Sequence, residues 1–93
     1  MSNPQVKYLS AKWCGPCAKI RPQIEPYVKK HGADFVYIDV DSGLDEQGNK
    51  HVIPGDILGV PTVDIIGADG QWKGRIPPDQ AAQKLLYRKY LEA

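Results

Sequence analysis

A strand, a helix and a second strand are packed into about 35 residues, 5–40, and that arrangement leaves few folds open. Gln5-Val6-Lys7-Tyr8-Leu9-Ser10-Ala11 alternates loosely, with Val6, Tyr8 and Ser10 on one face and Lys7 and Leu9 on the other. Imperfect alternation suits a central strand covered on both sides. Cys17, Ile20, Ile24, Tyr27 and Val28 then fall on one stripe at helical period. Pro16 in the first turn costs no helical bond, and Gly32 can close the helix in a left-handed conformation. Pro22 and Pro26 each remove an amide donor, so a kink is expected near Pro22 and a second break at Pro26. Asp34-Phe35-Val36-Tyr37-Ile38-Asp39-Val40 is rich in β-branched and aromatic residues and reads as the clearest strand. Two strands joined this way run parallel, with a right-handed crossover.

The rest of the chain extends this unit. Residues 41–59 carry turn signals at Asp41-Ser42-Gly43, Gly48-Asn49 and Pro54-Gly55, with room for a short helix over 44–51. Residues 62–66 and 71–75 form a hairpin about Ala68-Asp69-Gly70. Pro77-Pro78-Asp79 opens a last helix whose buried stripe is expected at Ala82, Leu85, Leu86 and Tyr90 or Leu91. The predicted order is β-α-β-β-β-α, an α/β fold with a four-stranded mixed sheet and helices on both faces. With 93 residues there is one domain, 1–93.

Where the first strand gives way to the first helix stand Trp13-Cys14-Gly15-Pro16-Cys17, which hold both cysteines of the chain. Met1-Ser2-Asn3-Pro4 shows no basic and apolar leader, and no run approaches the ~18 apolar residues of a membrane span. The expected compartment is the cytoplasm, with no membrane partner. There, two cysteines two residues apart read as metal ligation or redox chemistry rather than as a staple. On a helix, positions i and i+3 share a face, so Cys14 and Cys17 can open and close a disulfide locally. The unpaired amides and dipole at a helix N-terminus favour a thiolate at Cys14. Cys17, one turn further and on the apolar stripe, is expected to be the more buried. Cys14 then attacks a target disulfide, and Cys17 attacks the Cys14 sulfur to release the reduced target.

Other readings of the pair are structural zinc, an inert disulfide and a redox-dead binding module. Zinc needs four ligands, and beyond the cysteines only His31 and His51 are on offer; His51 lies far outside the short histidine gap of such sites. No metal is expected. The net charge of +1 points to no nucleic acid. Lys7, Lys12, Lys19, Arg21, Lys29 and Lys30 nonetheless surround the cysteines, against Glu25 alone. That is either a solvated surface or a basic surround for a thiolate that also steers an acidic partner.

Trp13 to Cys17 resembles the active site of the thioredoxin family. Ala11, Pro22 (five after Cys17), Asp41 and Gly70 match further family positions, and Gly59-Val60-Pro61-Thr62 is similar to the family's Gly-Ile-Pro-Thr. The resemblance covers roughly residues 6–91. It implies a dithiol oxidoreductase that reduces disulfides in client proteins, with no cofactor beyond the redox-active Cys14–Cys17 disulfide. It also implies a reductase of the thioredoxin-reductase type as electron donor, and a monomer. Trp13, Gly15, Pro16 and a cis Pro61 would support the cysteines. Trp13, Gly59, Val60 and Pro61 would line the client surface, with Gly74 as a further member. Other functions within the same scaffold are a glutaredoxin-like electron donor, for example to a ribonucleotide reductase, and a thioredoxin-fold clamp. Against glutaredoxin, Gly67-Ala68-Asp69-Gly70 is a poor match to the Gly-Gly-x-Asp turn of that group.

The chain departs from the family pattern in two ways. The usual leading strand and helix are absent before Val6. A buried aspartate six residues before the first cysteine is replaced by Tyr8, and its lysine neighbour by Tyr37. If 62–66 pairs antiparallel with the first strand, Asp64 is expected across from Tyr8 on the same face, where it would supply the missing carboxylate. An aspartate on a partly open face is the other reading.

Overall fold

The computed structural model describes residues 3–92. Strand β1 (Gln5–Ser10), helix α1 (Gly15–Lys30), strands β2 (Asp34–Asp39), β3 (Thr62–Ile66) and β4 (Trp72–Ile76), a 3-10 turn (Pro78–Gln80) and helix α2 (Lys84–Leu91) follow in that order. The four strands form one mixed sheet in the order β2-β1-β3-β4. β1 and β2 are parallel, with Tyr8 opposite Tyr37 and Ser10 opposite Asp39. β3 runs antiparallel to both β1 and β4. The predicted β-α-β-β-β-α order is therefore the observed one.

The helices share one face of the sheet instead of taking one face each. Val6 and Tyr8 lie opposite Ile65 and Val63, and Val63 lies opposite Ile76, so these side chains project to the same side. They form a single core with Cys17, Ile24 and Val28 of α1 and with Tyr87 of α2. The stripe expected on α2 is shifted too: Ala82 and Leu85 are exposed, while Ala81 and Tyr87 are buried. The cause is a late start. Pro78–Gln80 forms a 3-10 turn, Gln83 caps α2, and the Tyr87 hydroxyl reaches back to donate to the Ala81 carbonyl at 2.7 Å.

With both helices on one side, Leu9 and Ile38 are buried on the other, and segment 40–61 runs beside β2, where Asp45 bridges Ile38. No helix forms over 44–51. Leu44 and Lys50 bridge antiparallel about a turn in which Asp45 Oδ1 accepts from the Gln47 and Asn49 amides. An aspartate whose side chain accepts from nearby backbone amides competes with a helix. Arg75 of β4 pins the segment to the sheet by pairing with Asp56 as well as Asp64.

Helix α1 runs without interruption through Pro22 and Pro26, so the expected break at Pro26 does not occur. The carbonyls those prolines leave without donors belong to Ala18 and Pro22, both exposed, where water can replace the missing amide. At the C-terminus Gly32 adopts φ +77°, as expected for a left-handed closure.

Candidate active site

The two cysteines meet where β1 feeds α1. Cys14 is the N-cap of α1 in an extended conformation, and its Sγ accepts the Cys17 amide at 3.2 Å. One of the unpaired amides at the helix start is thus spent on sulfur. Pro16 sits in the first turn, where no helical donor is lost. Cys14 and Cys17 form a disulfide, with Cα atoms 5.3 Å apart. Their burial is unequal in the expected sense: Cys14 retains 7% exposure at the surface and Cys17 has none.

The second wall of the site is the turn before β3. Val60–Pro61 is a cis peptide, and the Val60 carbonyl oxygen lies 3.8 Å from Cys14 Sγ. The Thr62 hydroxyl donates to the Gly59 carbonyl and braces the turn. Trp13 is 71% exposed, yet its ring is tethered: Nε1 donates to Asp41 Oδ2 at 2.9 Å. Segment 40–61 therefore touches the cysteine motif at both of its ends, through Asp41 and through Val60. Leu58, just before the turn, is almost fully exposed.

Beneath Cys17 lies an aromatic stack. The Tyr8 hydroxyl donates to the Cys17 carbonyl at 2.8 Å, and the Tyr8 and Tyr37 rings stack with centroids 5.5 Å apart. Burial, together with the neighbouring Tyr37, pushes the Tyr8 hydroxyl well above the ordinary tyrosine range. It is a hydrogen-bond donor at neutral pH and no base. Tyr37 accepts from Ser10 Oγ at 2.7 Å, and the Arg21 guanidinium lies 4.0 Å over the Tyr37 ring.

Two expected members of the site stand elsewhere. Asp64 is opposite Lys7, while Val63 is opposite Tyr8. One residue of register places Asp64 on the helix-free face, where it pairs with Arg75 at 2.7 Å. It cannot act as a carboxylate for Cys17. Gly74 is opposite Ile65 and packs under Tyr90; a Cβ there would overlap the Tyr90 ring, so this glycine admits a helix and not a client. A Cβ built on Gly59 would meet Pro78 Cγ at 3.8 Å, so the proline sits beside the cis-proline turn. Pro78 was not legible as a neighbour of the site; Asp41 was read only as a matching family position and Arg21 only as part of the basic surround. For Arg21 a signal existed: it is four residues after Cys17, on the same helix face.

Neither histidine approaches the cysteines in a ligand set. His31 Nδ1 lies 3.0 Å from the Tyr27 carbonyl and His51 Nε2 lies 2.8 Å from Asp45 Oδ2. Among the described residues no group of three or more histidine, cysteine or carboxylate side chains is placed to hold a metal. No helix among them is long and apolar enough to cross a membrane.

Comparison with known proteins agrees with this geometry. The model of the Thioredoxin family matches residues 2–86. A protein disulfide-isomerase of Ricinus communis is 35% identical over 83 residues, which cover 81% of this chain and 16% of the isomerase. Thioredoxin-1 of Schizosaccharomyces pombe is 34% identical over 65 residues, 63% of each protein. The chain thus spans less than two thirds of these relatives. The X-ray structure of Fasciola hepatica thioredoxin superposes with a TM-score of 0.70 at 26% identity, covering 98% of this chain and 80% of that one. Fold, cysteine motif and family match agree: the chain belongs to the thioredoxin family.

Proposed function

We propose that this chain reduces disulfides in client proteins by dithiol exchange. The observation that carries the reading is the asymmetry of the pair: Cys14 caps α1 at the surface, 3.8 Å from the Val60 carbonyl, and Cys17 is sealed beneath it. Cys14 thiolate attacks one sulfur of the client disulfide, and the client's other sulfur leaves as a thiolate. Cys17 then loses its proton to solvent and attacks Cys14 Sγ. The mixed disulfide breaks, the client departs with two reduced thiols, and Cys14–Cys17 is oxidised. Trp13, Gly59, Val60 and Pro61 present the client surface, with backbone pairing at Val60 holding an extended client segment. Gly15 and Pro16 support the cysteine turn.

A dithiol reductase needs a reducing compartment such as the cytoplasm, and an electron donor of the thioredoxin-reductase type. It works as a monomer, without metal or nucleic acid. Insulin reduction with dithiothreitol tests the reading. The wild-type chain accelerates precipitation of the insulin B chain, and Cys14→Ser abolishes the acceleration. Cys17→Ser accumulates a client mixed disulfide on Cys14. A wild-type rate equal to the dithiothreitol background would overturn the reading in favour of a clamp. Turnover with glutathione but not with a reductase would favour a glutaredoxin-like donor.

A further inference from the structure

Arg21 has an environment that a surface helix residue does not need. Its guanidinium lies 4.0 Å over the Tyr37 ring and 5.7 Å from the Phe35 ring. It is held there from two sides, by Glu25 at 2.9 Å on the same helix and by both carboxylate oxygens of Glu46 in segment 40–61. Three quarters of the side chain is buried. Tyr37 stacks on Tyr8, and Tyr8 holds the Cys17 carbonyl. Arg21 is also four residues after Cys17, a spacing at which Cβ atoms are about 5–6 Å apart, and helical side chains lean back over the preceding turn. The cation, with its two carboxylates, therefore springs from the same face of α1 as the buried cysteine, one turn away, and lies over the ring that stacks on Tyr8.

We propose that Arg21 is a positioning residue for the resolving step: its charge, fixed over Tyr37, favours the Cys17 thiolate, and Glu46 attenuates it. This rests on the dithiol reading above. In the step concerned, Cys17 gives its proton to solvent, its electron pair forms the bond to Cys14 Sγ, and the client sulfur leaves with the pair of the broken bond. Negative charge must sit transiently on a sulfur with no exposure. Burial opposes that, and a nearby cation offsets it. The other ionisable groups facing this region are few. β1 offers Tyr8, α2 offers Tyr87, and both are buried hydroxyls pushed up by desolvation. β2 offers Tyr37 and Asp39, the latter committed to the Asp41 amide and the Ser42 hydroxyl. α1 offers Cys14 and Glu25, the latter shared between Arg21 and Lys29. β3 and β4 present Val63, Ile65, Gly74 and Ile76 to this face. Arg21 is the one cation among them stacked on the aromatic pair beneath Cys17.

A charge and a mechanical brace predict different signs. Reduced protein is mixed with dithiobis-nitrobenzoate in a stopped-flow instrument. The first nitrothiobenzoate released reports Cys14 attack; the second reports resolution by Cys17. Arg21→Gln is expected to slow the second release about fivefold at neutral pH and to move its pH midpoint upward. The first release should change less than about twofold. Glu46→Gln, which unmasks the guanidinium, is expected to accelerate the second release about twofold. Arg21→Lys keeps the charge and stays within about twofold of wild type. A brace would give the same direction for Arg21→Gln and Glu46→Gln, and Arg21→Lys as slow as Arg21→Gln; either result overturns the proposal. Wild-type protein that releases one thiol and stops would overturn the dithiol reading, and this inference with it.

Discussion

The Tyr8 hydroxyl donates to the Cys17 carbonyl oxygen across 2.8 Å, so β1 holds the second cysteine by its backbone and not by its sulfur. A carboxylate at this position would face the thiol as a base. A phenol whose ionisation is suppressed by burial faces it as an anchor. Tyr8→Phe should therefore lower stability and leave exchange chemistry nearly intact. It removes one of the two donors to that carbonyl, the other being the Arg21 amide within the helix, at a cost of about 0.5–1.5 kcal/mol, while the ring keeps its stack on Tyr37. Urea unfolding of the oxidised protein measures the loss. The pH dependence has a definite sign. The folded state holds Tyr8 protonated above the unfolded value near 10, so its contribution is complete below that pH and is lost as pH rises beyond it. The wild-type minus Tyr8→Phe difference should be flat from pH 6 to 9, below the unfolded tyrosine value of about 10.

Asp64→Asn separates a structural carboxylate from a catalytic one. Asp64 is nearly buried and takes a two-point bond from Arg75, which also holds Asp56. Breaking one side of a largely buried pair leaves Arg75 under-neutralised, and a loss of about 1–3 kcal/mol is expected after allowance for the quarter of Arg75 that water reaches. Exchange at Cys14 should keep its wild-type pH profile, because Asp64 projects from the opposite face of the sheet. A displaced profile would show that the two faces communicate.

These two residues mark where the sequence was legible. The β-α-β core and its hairpin were readable because alternation, the Cys17-to-Val28 stripe and the turn glycines agree locally. The asymmetry of the cysteines was readable for the same reason, since position on a helical stripe sets burial. The face of Asp64 was not. It depends on whether Thr62 or Val63 stands opposite Tyr8, and a shift of one residue inverts the answer. The side taken by α2 was hidden as well, because an amphipathic stripe requires burial without saying on which face. Segment 40–61 defeated local reading because several of its apolar residues, Leu44, Val52 and Leu58, stay exposed and its turn is made by one aspartate, with no helical period involved.

Gly74→Ala tests the reassignment of that glycine from client surface to core. The added methyl meets the Tyr90 ring, so either Tyr90 leaves its position or α2 shifts from the sheet. Overpacking of this kind costs about 1–3 kcal/mol. Tyr90→Leu should be mildly destabilising alone and should recover part of the Gly74→Ala loss, giving a favourable coupling in a double-mutant cycle. Insulin reduction by the folded fraction should be unchanged. A fall in client affinity without a fall in stability would return Gly74 to the surface.

The turn in segment 40–61 should open in acid. Asp45 is held at about 2 by its bond to His51, with further support from the Asn49 and Gln47 amides. Its folded value lies below the ordinary 3.8, so the stabilisation is complete above that pH and is lost as pH falls toward 2. Amide exchange at Gln47 and Asn49 should lose protection across that window while amides of β1 and β3 keep theirs. His51→Ala should expose the same amides at neutral pH, since the carboxylate then lacks the partner that fixes it.

Asp41→Ala addresses the client surface directly. Trp13 is an exposed indole fixed by a single bond from Nε1 to Asp41 Oδ2. A tethered ring meets a client already ordered. A free ring must be immobilised on binding, at about 0.5–1.5 kcal/mol for such a side chain. KM for a protein disulfide should therefore rise about three- to tenfold. kcat should hold within about twofold, because the cysteines, the Val60 carbonyl and the Tyr8 anchor are untouched. Asp41→Asn keeps an acceptor for the indole and should fall close to wild type. The split matters more than the size. If kcat fell and KM held, Asp41 would be acting on the chemistry at Cys14, and the tether would be incidental.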